Sequence, residues 1–273
     1  MTPEAVARVR AQAELGEPEA LCLSAVFAGL GAGETQNWST ARARLSQAAA
    51  HSDVARRQLA VLDAWPLATW LAPAVRERLS AAPRISMARG LLPVTACDWL
   101  IARARGRVKR ALVFDAAAAG AKLDTQRSNS AWELELADLD LVVLLARARI
   151  AATLGVPAGA LEPVQILHYA PGQQFARHHD YLDPAQPGHA ADIARRGQRM
   201  ATALVYLNTG YEGGQTDFPV AGLRFRGEPG DALLFANIDP DGQPDPRSLH
   251  AGRPTTRGEK WLLSQWVRDR APA

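Results

Sequence analysis

From about residue 162 the apolar positions of this chain stop recurring at helical spacing and begin to alternate. EPVQILHY (162–169), QQFARHHDY (173–181), MATALVYLN (200–208), GDALLFAN (230–237) and KWLLSQWV (260–267) are short runs of period two, each set off by Gly, Pro or Asp. A strand presents successive side chains to opposite faces, so each run can bury its apolar set only by pairing with others in register. Short strands separated by Gly/Pro/Asp turns are the pattern of an antiparallel sandwich or barrel flanked by helices.

Upstream the pattern is helical. Residues 1–64 are rich in Ala, Leu, Arg and Glu, with Gly/Asn breaks near 28–38. AELGEPEALCLSAV (13–26) laid over AAAHSDVARRQLAV (48–61) matches Ala13 to Ala48, Ala20 to Ala55, Ala25 to Ala60 and Val26 to Val61, an offset of 35 residues. Small residues at such a recurrence let paired helices approach closely, as in tetratricopeptide and Sel-like repeats; a plain helical extension is the alternative reading. The Pro-marked passage 65–87 reads as a linker or packing segment, and 88–273 as the main domain. Within it, 94–106 is expected as a helix with Thr95 as cap, 107–115 as a strand, and 136–155 as an amphipathic helix ending at Gly155.

Composition narrows the function classes. Lys and Arg total 31 against 28 Asp and Glu, a net charge of +3 spread along the chain, and nowhere do basic residues interleave with aromatics, so no nucleic-acid partner is expected. No apolar run approaches the ~18 residues needed to span a bilayer, and the first twenty residues lack a secretory apolar core, so the expected location is cytoplasmic with no membrane partner. Cys22 and Cys97 stand far apart without metal-binding spacing and read as free thiols.

The chemistry concentrates in GQQFARHHDYLDP (172–184). On a strand His178 and Asp180 share a face while His179 points to the other. An imidazole and a carboxylate together supply two ligands of a facial triad, the arrangement that leaves open positions on a non-heme iron. The histidine available downstream as a third ligand is His250, in SLHAGRP, with Lys260 ten residues later. His168, among apolar residues, reads as a core histidine, and His51 and His189 lack metal spacing. EGGQTDFP (212–219) and GEPGD (227–231) read as turns.

The ordered set CDWLIARARGRVKRALV, QRSNSAWEL, VQILHYAPGQQFARHHDY, QRMATALVYLNTGYEGGQTDFP, GDALLFAN and SLHAGRPTTRGEKWLLSQWV resembles the prolyl 4-hydroxylase type of 2-oxoglutarate- and Fe(II)-dependent dioxygenases, over about residues 88–268. The resemblance implies an α+β fold built on a double-stranded β-helix, or jelly roll. It implies His178, Asp180 and His250 as Fe(II) ligands, with the remaining positions for 2-oxoglutarate and O2. Lys260 matches the lysine that holds the far carboxylate of 2-oxoglutarate, Tyr169 and Tyr206 match phenols that help hold this cosubstrate, and Thr202 is expected to line the same pocket. Arg199 and Trp266 match substrate contacts. Phe175 stands where peptide-binding relatives carry tyrosine, a departure that removes a hydroxyl. The implied reaction is hydroxylation of an unactivated C–H with release of succinate and CO2, sustained by ascorbate. Asp180 favours hydroxylation over halogenation, since halogenating relatives carry a small residue there.

The expected substrate is a prolyl residue or a proline-like amino acid. Another free small amino acid is the alternative within the same chemistry, and a helical-repeat binding protein with an inactive oxygenase domain is the alternative outside it. The N-terminal helices are expected either to contact a protein partner or to pack on the core. The polar, Pro/Gly-containing segment 182–199 has two readings, a mobile lid over the substrate and an ordinary surface loop.

Overall fold

A computed structural model describes residues 2–111, 113–115, 120–122 and 127–271. Two compact units emerge, residues 1–72 with 135–149 and residues 73–134 with 150–273.

The first unit is helical. It holds α1 (Pro3–Glu14), α2 (Pro18–Leu30), α3 (Trp38–Ala49), α4 (Asp53–Leu62), the short α5 (Leu67–Leu71) and the larger part of a helix from Leu141 to Leu154. Capping sets the starts: the Asn37 side chain accepts from the Thr40 amide, and the Ser52 hydroxyl from the Ala55 amide. Alanines make the close approaches, with Ala25, Ala28, Ala41, Ala48 and Ala55 fully buried beside Phe27, Leu45 and Leu141. A Cβ on Gly29 would stand 3.1 Å from Leu144 and 3.3 Å from Trp38, so glycine there admits neighbouring side chains. Of the alanines in the 35-residue echo, Ala20, Ala25, Ala48 and Ala55 are buried, Ala13 is half-buried and Ala60 is exposed.

The second unit is the β-rich one. Its helices are α6 (Val94–Ala104), the end of α7 (Leu141–Leu154) and α8 (Pro187–Arg196). Its strands in chain order are β1 (Glu77–Ala81), β2 (Arg84–Ala88), β3 (Lys109–Arg110), β4 (Val113–Asp115), β5 (Gly120–Lys122), β6 (Ser130–Glu133), β7 (Gln165–Tyr169), β8 (Phe175–His178), β9 (Arg199–Tyr206), β10 (Glu212–Gly213), β11 (Thr216–Phe218), β12 (Leu223–Phe225), β13 (Ala232–Ala236), β14 (His250–Gly252), β15 (Thr255–Arg257) and β16 (Lys260–Arg268). A major sheet of eight strands runs β1-β2-β13-β9-β16-β7-β6-β3, and a minor sheet runs β12-β11-β14-β8; β4 pairs with β5 and β10 with β15. The two sheets make the expected jelly roll. Its apolar centre joins Leu167, Tyr169, Leu204, Tyr206, Leu233 and Leu262 of the major sheet to Phe218 of the minor one.

Several expectations shift. The passage 65–87, read as a linker or packing segment, contributes α5 and the hairpin β1–β2, whose second strand pairs with β13 and so extends the major sheet. Helix α6 begins at Val94 behind Pro93, which places Thr95 inside the helix instead of at its cap. The expected strand 107–115 is divided into β3 and β4, with residue 112 outside the described residues. EG and TDF of EGGQTDFP are strands β10 and β11, joined by Gly214 and Gln215, with Gly213 and Gly214 at φ 68° and 66°. No helix among the described residues is long and apolar enough to cross a membrane.

Candidate metal centre

Antiparallel register builds the site. On β16, Lys260, Leu262, Ser264 and Trp266 point to one face; on β7, Gln165, Leu167 and Tyr169 share it, with Lys260 opposite Tyr169 and Ser264 opposite Gln165. These residues, with Leu204 of β9, form one wall of a narrow cavity, and Phe175, His178, Thr216, His250 and Gly252 of the minor sheet form the other. The wall is graded: a cation at one end, leucines in the middle, polar groups at the other end. At about 3.4 Å per residue, Lys260 and Ser264 stand roughly 14 Å apart along the strand.

His178, Asp180 and His250 meet between the sheets, because β8 and β14 place His178 directly opposite His250. Their nearest ligand atoms all lie within 4.8 Å of one another. Each imidazole Nε2 is 3.6 Å from a carboxylate oxygen, His178 from Oδ1 and His250 from Oδ2. The other ring nitrogens are committed to backbone carbonyls: His178 Nδ1 lies 2.8 Å from the Ala176 oxygen and His250 Nδ1 lies 3.0 Å from that of Ser248. A carbonyl only accepts, so Nδ1 carries the proton and Nε2 offers its lone pair to the centre of the triad. Burial pushes His250 down to about 4, so it is a neutral ligand at pH 7. Burial pushes Asp180 up, but the positive charge that His250 and His178 carry when protonated, together with the Thr202 hydroxyl, outweighs it and holds the carboxyl well below its usual range; with both rings neutral the Thr202 hydroxyl is the donor that stays on the carboxylate. Two neutral nitrogen donors and one anionic oxygen with a cavity beside them suit a divalent iron, and leave room on it for further ligands.

Strand β8 ends at His178, so a turn, not strand alternation, delivers Asp180. His179 faces elsewhere, its Nε2 3.1 Å from the Pro246 carbonyl and its ring on Tyr181. His168 packs on Trp261, with centroids 4.3 Å apart, away from the cavity. Phe175 stacks on His178 with centroids 3.5 Å apart and an interplanar angle of 10°, and the Arg127 guanidinium lies 4.7 Å from its ring centroid.

Lys260 is 1% exposed and forms no ion pair among the described residues; its ammonium donates to the Gly214 carbonyl at 2.6 Å. Burial alone pushes it down to about 7. A buried cation without a counter-charge, beside the cavity, is poised for an anionic ligand. Tyr169 lines the cavity, and burial raises its phenol to about 12, so it remains a neutral hydrogen-bonding group. Tyr206 is fully buried, with its hydroxyl 2.7 Å from that of Thr216, and reaches the cavity through that residue.

Thr202 departs from its expected place: it does not line the cavity but stands behind Asp180, to which its hydroxyl donates at 2.7 Å. Trp266 lines the outer end, covered by Arg199, whose guanidinium carbon is 3.6 Å from its ring centroid. Glu162 grips Arg199 through two bonds of 2.7 and 3.0 Å and also pairs with Arg268. Arg268 in turn holds Asp192 of α8 at 2.8 Å. The segment 182–199 therefore contains a helix tied at its C-terminal end to the main sheet. Arg127, Gln165, Thr216 and Asn237 join the site or its support without having been singled out in the sequence. Arg127 falls in QRSNSAWEL, so its match was available, but a lone arginine in a polar stretch carries no period.

Comparison with known proteins bears on this geometry. Residues 164–268 match the family model described as the 2OG-Fe(II) oxygenase superfamily. The chain is 34% identical over 209 residues to prolyl 4-hydroxylase 1 of Arabidopsis thaliana, covering 71% of this chain and 72% of that one. It is 32% identical over 216 residues to the probable prolyl 4-hydroxylase 4 of the same plant. Among solved structures, the viral collagen prolyl hydroxylase of Paramecium bursaria Chlorella virus-1, in complex with 2OG, superposes with a TM-score of 0.51 at 26% identity, over 67% of this chain and 94% of that one.

Proposed function

Since the chain belongs to the prolyl 4-hydroxylase family of 2OG-Fe(II) oxygenases, we propose that it hydroxylates a prolyl residue within a peptide or protein, rather than a free amino acid. His178, Asp180 and His250 would hold Fe(II), which when bound supplies O2 activation coupled to the decarboxylation of 2-oxoglutarate to succinate and CO2. Lys260 pairs with the distal carboxylate of that cosubstrate, and the Tyr169 phenol offers it a hydrogen bond. Leu167, Leu204 and Leu262 keep water and stray hydrogen donors from the middle of the cavity.

The choice of a peptide rests on the outer end. Gln165 Oε1 and Trp266 Nε1 are buried and have no hydrogen-bond partner among the described residues. They sit on neighbouring strands of one cavity wall. Glu133 accepts from Gln165 Nε2 at 2.7 Å, which fixes the amide and makes its oxygen the free acceptor. One acceptor and one donor match the N–H and C=O of a peptide backbone. Proline has no N–H, so that donor belongs to a residue flanking it.

The test is succinate formation with Fe(II), 2-oxoglutarate and O2, comparing proline-containing peptides with free proline, pipecolate and lysine, against His178→Ala. Succinate that rises with a peptide and vanishes in the variant is the expected result. A rise with free amino acids alone would reverse the choice of substrate. Ascorbate dependence, proposed from the same family likeness, is read from whether turnover persists without it.

A further inference from the structure

We propose that Asn237, through the hydroxyl of Thr202, is a positioning residue for the metal ligand Asp180, an inference that rests on the iron-site reading above. Three buried groups stand in line. Asn237 Nδ2 donates to Thr202 Oγ1 at 3.0 Å, and Thr202 Oγ1 donates to Asp180 Oδ2 at 2.7 Å. Asn237 and Thr202 are fully buried and Asp180 is 6% exposed, so water does not compete for these bonds.

The direction of the chain follows from counting protons. An ionised carboxylate only accepts, so the single hydroxyl proton of Thr202 goes to Asp180. The Thr202 oxygen then has lone pairs left for its other neighbour, and Asn237 must present its N–H there, not its carbonyl. The Asn237 Oδ1 that results is buried without a partner among the described residues. An unsatisfied buried acceptor is retained at a cost, which the orientation of the amide toward Thr202 accounts for. The backbone holds this register. Thr202 on β9 lies opposite Phe235 on β13, so Asn237 is the diagonal neighbour on the same face. Asn237 is itself anchored, its amide donating to the Met200 carbonyl and its carbonyl accepting from the Asp245 amide, both at 2.9 Å.

The consequence concerns Asp180 before any metal arrives. Its side chain follows a turn that ends β8, so the strand does not fix its rotamer. The Thr202 proton occupies a lone pair of Oδ2 and thereby sets the plane of the carboxylate between the two imidazoles. Asn237 stops that hydroxyl from rotating away. Replacing Asn237 by aspartate keeps the shape but reverses the relay: the new carboxylate takes the hydroxyl proton and turns the Thr202 lone pairs toward Asp180.

Cobalt(II) binding tests this without turnover, by calorimetric titration and by the visible absorption of the bound ion. Outer partners of metal ligands are worth about 10- to 100-fold in affinity. Thr202→Val, which keeps the volume and removes the hydroxyl, should lose affinity in that range, and Thr202→Ser should restore it. Asn237→Asp should lose as much as Thr202→Val, and the double variant should be no weaker than Thr202→Val alone, since the relay is already cut. Asn237→Leu removes the donor without reversing the relay and guards against misfolding of the aspartate variant; its affinity should fall between wild type and Thr202→Val. Wild-type affinity in both Asn237 variants, or strict additivity in the double, would overturn the relay. Wild-type protein that binds no cobalt(II) at all would instead overturn the metal site on which it rests.

Discussion

Replacing Lys260 by methionine should stabilise the ligand-free protein while abolishing 2-oxoglutarate binding. The ammonium is 1% exposed, has no ion pair among the described residues, and is pushed down to about 7 from the ordinary 10.5. At 1.36 kcal/mol per tenfold change in proton affinity, that gap amounts to roughly 4 kcal/mol of destabilisation at pH 7. Methionine removes this penalty but leaves the Gly214 carbonyl without its donor, which costs about 1–3 kcal/mol. The net expectation is a gain on the order of 1–3 kcal/mol, read as a higher urea midpoint with unchanged m. The sign of the pH dependence follows from the depressed value. Between about 7 and 10.5 the unfolded chain keeps a proton that the folded chain has released, so wild-type stability rises with pH across that window. By pH 9.5 the advantage of Lys260→Met should therefore have shrunk by roughly 3 kcal/mol and reversed or nearly so. Binding an anion reverses the release. At pH 8, addition of 2-oxoglutarate should draw about 0.9 proton onto Lys260, seen as a calorimetric heat that varies with the ionisation enthalpy of the buffer. A Lys260→Met protein less stable than wild type at pH 7, together with buffer-independent heats, would refute the reasoning that this lysine is a buried, unpaired cation awaiting a carboxylate.

Glu162→Gln leaves two guanidiniums, Arg199 and Arg268, without the carboxylate they share, so a loss of about 3–5 kcal/mol in urea unfolding is expected. Adding Arg268→Met should recover part of it. Phe175→Ala removes the ring stacked on His178 and should weaken cobalt(II) binding while lowering stability by about 1–2 kcal/mol, less than a full core truncation because Phe175 is only half-buried. Trp266→Phe keeps a ring beneath Arg199 but loses the indole N–H; KM for a prolyl peptide should rise about tenfold, with KM for 2-oxoglutarate moved less.

The residues that were legible in the sequence and those that were not differ in a physical way. The strands β7, β9, β13 and β16 announced themselves because each buries at least one face over five or more residues, and alternation or an apolar run survives at that length. The minor-sheet strands β11, β12 and β14 have three residues each, too few to show a period, and β11 took on the appearance of a turn beside Gly213 and Gly214. Hairpin β1–β2 was hidden among prolines that mark only its flanks and its turn. The ligand triad could be read because iron demands particular side-chain types in a particular order. Asn237 could not, and Thr202, singled out only for the cosubstrate pocket, could not be given its place behind Asp180, since a threonine and an asparagine make no such demand and their roles depend on which atom donates to which. That is a property of register: only when β9 is laid beside β13 does Asn237 come within 3.0 Å of Thr202, and only the fully buried setting makes the single hydroxyl proton decisive. Pattern in the sequence thus locates His178, Asp180 and His250, which the fold brings together, while the pairing of strands places Thr202 and Asn237 in line behind Asp180.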